Sequence, residues 1–231
     1  MNTTIATGER GAAAVSPAMQ DYLKAVYRLQ DAGGTVTTQR LAEELGVSGP
    51  SVTNMVKRLA ELGLLRHEPY RGAELTPAGE RIALEVVRHH RLLELYLVTS
   101  LGYGWDEAHA EADRLEHHIS EDLEARLDAV LGHPDTDPHG DPIPAVDGTL
   151  RVLPVVPLSE LPIDRRAVVR RVSDGDPARL RYLAEIGLVP GATVTVVERL
   201  PFDGPLRVIV GETERLVGLP LAGAVAVAEA A

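Results

Sequence analysis

Residues 38–59 read TQRLAEELGVSGPSVTNMVKRL, and this stretch decides the fold of the N-terminal third of the chain. Apolar residues at helical spacing predict a short helix over residues 38–45. A glycine-containing turn follows, and a second helix then begins at Ser48, whose hydroxyl can cap it. Pro50 fits the first turn of that helix, where no backbone N–H is needed. Helix, short turn and proline-started helix in this order are typical of a helix-turn-helix.

The neighbouring segments extend this motif into a winged form. Residues 17–31 predict a preceding helix, and two short apolar strands at 64–67 and 73–76 predict a wing around the turn 68–72. A helix-turn-helix can also serve as a protein-interaction scaffold, but this order of elements favours DNA binding. Outward polar side chains of the second helix would then meet base edges, while the wing would meet phosphates. The candidate DNA-contacting residues are Ser48, Pro50, Ser51, Thr53, Asn54, Lys57 and Arg71.

The composition excludes several classes of site. The 231-residue chain has no cysteine, which excludes disulfides, thiolate zinc sites and cysteine nucleophiles. It has no run of about 18 apolar residues, so we expect no membrane partner. Residues 1–15 contain Glu9 and lack the apolar core of a signal peptide, so we expect them to form a loose, disordered arm. Together these features predict a cytoplasmic protein.

The net charge of −11 is unevenly distributed. Residues 16–75, which hold the helix-turn-helix, carry seven basic and seven acidic residues. Residues 76–150 carry five basic and sixteen acidic residues and therefore the whole acidic excess. A charge run is most often a solvated surface. Carboxylates interleaved with histidines are also what a cation site requires.

The acidic region contains a pattern of metal-ligand residues. Residues 77–131 predict two longer helices with a break near 102–105. At about 100° per residue, the second helix, 105–131, brings four potential ligand residues onto one arc. These residues are His109, Asp113, Glu116 and His117. On the preceding helix, His90 and Glu94 lie one turn apart and can share an ion. Carboxylates and imidazoles at the edge of a core are costly without a cation, so the pattern favours a divalent metal over a solvated helix face.

A second group of ligand types lies in residues 132–150, which contain four prolines and three glycines and predict a linker or ordered loop. Its members are His133, Asp135, Asp137, His139 and Asp141. Because prolines separate them, a single convergent geometry is less expected, and we leave this group out of the predicted metal sites.

The C-terminal third has a different pattern. Short β-branched runs at 168–172, 193–198, 206–210 and 225–228 surround one helix at 177–186, which predicts a small barrel or sandwich. The chain is thus predicted to be a multi-domain α+β protein. Its expected parts are a disordered arm (1–15), a winged helix-turn-helix (16–78), an all-α metal-binding domain (79–131), a proline-rich linker (132–150) and a small β-barrel (151–231).

Several of these motifs together resemble the diphtheria toxin repressor family of metal-dependent regulators, from residue 16 to the C-terminus. The matching motifs are DYL at 21–23, SGPSVT at 48–53, LTPAG at 75–79, HRLLE at 90–94, EHH at 116–118 and HGDPIP at 139–144. The tail is similar to the small β-barrel of ferrous-iron transport accessory proteins, through LAEIGLVPG at 183–191.

The resemblance implies two metal sites per subunit and DNA binding as a homodimer on palindromic operators, usually to repress metal-uptake genes. The activating site would use Asp21, Asp113, Glu116 and His117. The ancillary site would use His90, Glu94 and His109 with a barrel oxygen, for which Asp176 is our choice and Asp174 an alternative.

The ligand set departs from the family pattern in an informative way. Iron-sensing members carry Met where Asp21 stands and Cys where Asp113 stands. Manganese-sensing members share the Asp but have Glu where Lys24 stands, and a cationic Lys24 cannot ligate. We therefore expect two separated sites, with oxygen and imidazole donors that suit Mn(II), and Fe(II) as the alternative metal.

The sequence thus predicts a metal-dependent DNA-binding regulator, most simply a repressor of manganese or iron homeostasis genes. A metal-dependent hydrolase with a winged-helix accessory domain is the alternative, because paired metals can activate water. No nucleophile motif or glycine-rich substrate loop supports it. A metal-buffering or transport accessory protein is a third interpretation, suggested by the tail.

Overall fold

The computed structural model describes residues 15–68, 72–151, 154–173 and 176–229. The chain forms two compact units, Met1–Leu84 and Glu85–Ala231. Among the described residues, no helix combines the length and apolar character needed to cross a membrane.

The N-terminal unit contains the predicted winged helix-turn-helix. Helix α1 spans Pro17–Asp31, α2 spans Thr38–Leu45 and α3 spans Gly49–Glu61; the hairpin consists of β1 (Leu65–Glu68) and β2 (Gly72–Leu75), and α4 (Pro77–Leu101) begins in this unit. The caps are those expected from the sequence, because the Ser48 hydroxyl accepts the Ser51 N–H and Gly46 ends α2 in the left-handed conformation. The predicted arm and the centre of the wing, including Arg71, lie outside the described residues.

The core of this unit is built from one apolar face of each helix. Its largest fully buried side chains are Leu23, Leu41 and Leu59. The start of α4 lies against the hairpin at Gly79, where an added Cβ would be 2.1 Å from the Leu64 carbonyl oxygen. A glycine is therefore required at this close approach.

The second unit begins with the rest of α4, followed by α5 (Trp105–Leu115) and α6 (Glu121–Val130). The single helix predicted over residues 105–131 is wrong, since α5 ends at Leu115 and α6 begins after Ser120. The physical reason is local: the Ser120 hydroxyl accepts the Leu123 N–H, and Glu121 stands in a first turn rich in acidic residues. Serine and acidic residues there favour a new helix N-terminus over continuation.

Residues 132–150 form an ordered loop that is held against α4. The Arg88 guanidinium donates to the Pro144 carbonyl oxygen at 2.8 Å, and Arg91 donates to the Pro142 carbonyl oxygen. Asp137 is buried, and its carboxylate accepts the backbone N–H groups of His139 and Asp141, both at 2.9 Å.

The C-terminal part is an antiparallel sheet with one buried apolar face. Its elements are β3 (Val156–Pro157), a 3₁₀ turn (Leu158–Glu160), β4 (Arg166–Val172), α7 (Pro177–Glu185), β5 (Thr193–Arg199), β6 (Leu206–Val210), β7 (Thr213–Val217), α8 (Leu219–Gly223) and β8 (Val225–Glu229). The strand order is β3-β8-β4-β5-β6-β7. The register shifts between Val169 and Arg171 and between Val196 and Glu198, and bulges of this kind bend the strands. Four of the six strands and the helix following β4 agree with the predicted tail. Two strands were not predicted: β3 has only two residues, and the sequence of β7, TERLV, has little apolar alternation.

Candidate metal centre and DNA interface

Three donor atoms converge on one point between α4 and α5. Glu94 Oε1 lies 2.7 Å from His109 Nδ1 and 3.2 Å from His90 Nε2, and these two nitrogens are 3.2 Å apart. A metal ion about 2.1 Å from each ligand would hold two ligands about 3.0 Å apart at right angles and about 3.4 Å apart at the tetrahedral angle. The observed triangle therefore has nearly the dimensions of one face of a coordination polyhedron.

The cluster continues towards the end of α5. His90 Nδ1 lies 2.6 Å from Glu116 Oε2 and 3.3 Å from Asp113 Oδ1, and Glu116 Oε1 lies 3.4 Å from His117 Nε2. His90 thus connects Glu94 with Glu116 through its two ring nitrogens. Glu94 and Glu116 are both 1% exposed, so two carboxylates are held away from bulk water beside imidazoles. Such an arrangement favours an additional cation.

Burial alone would raise the pKa of the Glu94 carboxyl, because it penalises the charged form. Contacts with the imidazoles of His109, His139 and His90 outweigh that effect and hold its pKa below the ordinary value. Glu94 is therefore ionised at neutral pH, which is the state that a metal ligand requires.

The two ligand sets expected from the sequence meet in the second unit as one continuous cluster. Asp113, which the resemblance assigns to the activating set, groups with His90 and His109, their donor atoms lying within 4.8 Å of one another. Its side chain is 48% exposed, unlike the buried carboxylates of Glu94 and Glu116. Asp21 lies half-buried on α1 in the N-terminal unit.

His139 was left out of the predicted metal site, yet its ring belongs to this cluster. Its Nε2 lies 3.8 Å from Glu94 Oε1, the residue is 1% exposed, and the ring of Trp105 packs on it edge-to-face at 5.1 Å. The prolines that argued against convergence instead shape a loop that turns at Gly140. The motif HGDPIP, already noted as part of the resemblance, was the available signal.

The barrel carboxylate chosen as a ligand has a local role in the structure. Asp176 caps α7, where its side chain accepts the N–H groups of Ala178 and Arg179, and it pairs with the Arg179 guanidinium at 3.3 Å. Asp174 lies outside the described residues.

A further group of ligand types lies on α4 and α6, at Glu85, His89 and Glu121. Here both His89 nitrogens face acceptors, the Glu116 carbonyl oxygen and Glu124 Oε2, each at 3.0 Å. Glu124 also accepts from Arg88. These contacts explain the histidine as part of a buried ion-pair network between the helices.

The candidate DNA-contacting side chains of the N-terminal unit share an exposed face. Ser48, Pro50, Ser51, Thr53, Asn54 and Lys57 are all exposed at the start of α3 or along its outer side. The Ser48 hydroxyl serves as the helix cap, and the Thr53 hydroxyl donates to the Gly49 carbonyl oxygen at 3.0 Å. Asn54 and Lys57 thus present the longest polar side chains of this face.

Comparison with protein families gives three matches along the chain. Residues 14–73 match the N-terminal DNA binding domain of iron dependent repressors, and residues 76–145 match the metal binding and dimerisation domain of the same repressors. Residues 156–229 match the FeoA domain.

Similar proteins are known in sequence and structure. The chain is 42% identical to the iron-dependent repressor IdeR of Mycobacterium tuberculosis over 203 residues, covering 82% of this chain and 87% of that protein. A solved manganese-dependent transcriptional repressor in complex with manganese is 42% identical and superimposes with a TM-score of 0.85, covering 92% of this chain and all of that chain. The manganese-activated repressor ScaR in its apo form is 34% identical, with a TM-score of 0.77 over 91% of this chain and all of that chain.

Proposed function

Because the chain belongs to the family of iron-dependent repressors, we propose that it represses transcription by binding operator DNA in response to Mn(II), with Fe(II) as the alternative metal. The family consists of DNA-binding regulators and not of enzymes, so the hydrolase alternative has no support.

The observation that carries the proposal is the triangle formed by Glu94 Oε1, His90 Nε2 and His109 Nδ1, with edges of 2.7, 3.2 and 3.2 Å. An ionised carboxylate and two imidazoles at these distances suit a divalent transition metal. One imidazole would be enough to form an ion pair with a buried carboxylate. The Glu94 carboxylate is approached by three, those of His90, His109 and His139.

The donor chemistry supports manganese as the working metal. All proposed ligands offer oxygen or imidazole nitrogen, and the chain has no cysteine. Affinity still rises from manganese through iron to the later metals, so the site need not bind manganese most tightly. An oxygen-rich site gives iron, nickel and zinc less advantage than a sulfur-containing one, which makes manganese the effective signal where free zinc and nickel are scarce.

We propose two metal ions per subunit. The ancillary ion would be bound by His90, Glu94 and His109, with His139 as an added ligand that the geometry supports. The activating ion would be bound by Asp113, Glu116 and His117 together with Asp21, an assignment that rests on the family resemblance. The barrel oxygen of Asp176 stays a prediction.

The proposed mechanism is a population shift in a homodimer. In the proposed division, the DNA-binding domain (16–78) carries Asp21 and the metal-binding domain (79–131) carries its partner ligands, ahead of the linker (132–150) and the barrel (151–231). An ion bound by both domains would favour one spacing of the two recognition helices. Two helices about 34–36 Å apart fit successive major grooves of a palindromic operator. The metal biases this equilibrium only by its difference in affinity for the two states.

The test is fluorescence anisotropy of a DNA fragment from the promoter upstream of the protein's own coding sequence. We expect binding with Mn(II) or Fe(II) and a return to the non-specific level with a chelator. Equal affinity for this DNA with metal and with chelator would overturn the proposal.

A further inference from the structure

Residues 137–143, here called the connector, contact both the metal cluster and the C-terminal sheet. On one side, the His139 ring approaches Glu94 and Arg91 donates to the Pro142 carbonyl oxygen. On the other side, the Val172 N–H of β4 donates to the His139 carbonyl oxygen at 2.9 Å. His139 therefore faces the metal cluster with its side chain and the sheet with its main chain.

Gly140 makes this double contact possible. It has φ +90°, and an added Cβ would lie 1.8 Å from the carbonyl oxygen of Arg170, a backbone atom. Arg170 is the residue at which the pairing of β4 with β8 shifts register. The connector thus lies directly against a bulge of β4, with no room for a side chain between the two backbones.

Trp105, the single tryptophan of the chain, completes the arrangement. Its ring packs edge-to-face on the His139 imidazole at 5.1 Å with an interplanar angle of 89°, and it also packs against the apolar core of the sheet. Trp105 begins α5, the helix that carries His109 and Asp113, and α5 packs on α7. One aromatic ring therefore touches the imidazole beside Glu94 and the sheet at the same time.

We propose that Gly140 and Trp105 are positioning residues that couple metal binding at the Glu94 cluster to the seating of the C-terminal sheet on the helices. They hold the His139 ring towards Glu94 only while the connector is in place on β4. A metal ion that uses this ring then stabilises the seated sheet. Coupling of this kind is reciprocal, so loosening the connector must weaken metal binding by the same factor by which metal tightens the connector.

This inference rests on the proposed function in one respect, that the Glu94 cluster binds a metal ion. It differs from a direct link through a barrel ligand such as Asp176. If such a ligand were the link, the contact between Gly140 and β4 would not matter for metal affinity.

The experiment uses the full chain without DNA. Hydrogen exchange of the Val172 amide is followed by NMR with and without Zn(II), which replaces paramagnetic Mn(II) as a diamagnetic probe. The affinity for Zn(II) is measured by competition with a chromophoric chelator. In the wild type we expect Zn(II) to slow exchange of the Val172 amide. In Gly140→Ala we expect faster exchange and about ten-fold weaker Zn(II) binding at one site, as for other groups that orient a metal ligand.

Matched variants separate the coupling from general damage. Gly132→Ala is the control for backbone strain, because Gly132 also has positive φ (77°) but nothing within 4 Å of an added Cβ, and its Zn(II) affinity should stay at the wild-type value. Trp105→Ala should also weaken Zn(II) binding, and it provides the test if Gly140→Ala does not fold. Trp105→Phe should restore most of it, because an aromatic ring is retained.

The outcomes are distinct. If the wild type binds Zn(II) but exchange of the Val172 amide does not change, or if Gly140→Ala and Trp105→Ala both keep wild-type affinity, the coupling is wrong while the proposed function survives. If the wild type binds no divalent metal at all, both are wrong.

Discussion

Replacing the Glu94 carboxylate by an amide should remove most of the stabilisation that metal at this cluster gives to the fold. Glu94→Gln keeps the size of the side chain but removes the charge at the centre of the donor triangle. The metal-free protein should also lose some stability, because the contacts of the ionised carboxylate with the imidazoles outweigh the cost of burying it. The prediction therefore concerns the rise in Tm on adding metal, measured for each variant against its own metal-free Tm.

The expected magnitude follows from mass action. A site at one hundred times its dissociation constant in metal stabilises the folded state by about 2.7 kcal/mol, and a hundred-fold weaker site at the same metal concentration gives about 0.4 kcal/mol. The difference, about 2.3 kcal/mol, corresponds to a loss of about 5–9 °C in the metal-induced rise of Tm for a chain of this size.

The assay is thermal unfolding by circular dichroism, with Mn(II) and with a chelator. Glu124→Gln is the matched control, because Glu124 is also buried but faces Arg88 and His89 instead of the donor triangle. It should lose about 1–3 kcal/mol of metal-free stability, from the weakened ion pair, and keep the full metal-induced rise. A Glu94→Gln protein with the wild-type metal response would refute the assignment of this triangle.

Three further predictions concern the activating site and the DNA interface. Glu116→Gln or His117→Ala should abolish metal-dependent operator binding in anisotropy while leaving the circular dichroism spectrum unchanged; retained binding would show that another ligand set activates the protein. Asn54→Ala should relax base preference on a panel of mutated operators, whereas Arg71→Ala should weaken binding to all sequences and reduce its salt dependence; a uniform effect of both would mean that our placement of α3 in the groove is wrong. Asp21→Met should lose the response to Mn(II) more than that to Fe(II), and an unchanged metal ranking would remove Asp21 as a selectivity residue.

The N-terminal unit could be predicted closely because its signals are local. Ser48 caps α3, Gly46 ends α2, and apolar residues at helical spacing point to the core. Each of these features depends on residues within one or two turns, so the sequence alone determines them.

The break between α5 and α6 was harder to see. Apolar and polar residues keep helical spacing through 116–120, so the sequence predicted one continuous helix where the structure has two. The capping hydroxyl of Ser120 was the local signal for the break, but serine also occurs inside helices. Glu116 and His117 nevertheless stay beside the other ligand residues, because they follow α5 directly: Glu116 faces His90, and His117 faces Glu116.

The part of the cluster that sequence reasoning missed depends on a tertiary contact. His139 lies 45 residues after Glu94, and its ring reaches Glu94 because Gly140 rests on a bulge of β4. Neither the bulge in β4 nor the contact of the connector with it can be predicted from the spacing of residues along the sequence. For the same reason, Asp176 was chosen by position in the tail, and its role as the cap of α7 emerged only with the fold.

The most direct test of metal-dependent repression is the affinity for Mn(II) with and without operator DNA, measured by the electron paramagnetic resonance signal of unbound Mn(II). If metal favours the DNA-competent state, operator DNA must tighten Mn(II) binding by the same factor by which Mn(II) tightens operator binding. We predict equal factors, both well above one in the wild type, and both close to one in His117→Ala. An affinity for Mn(II) that does not change when operator DNA is bound would contradict the account.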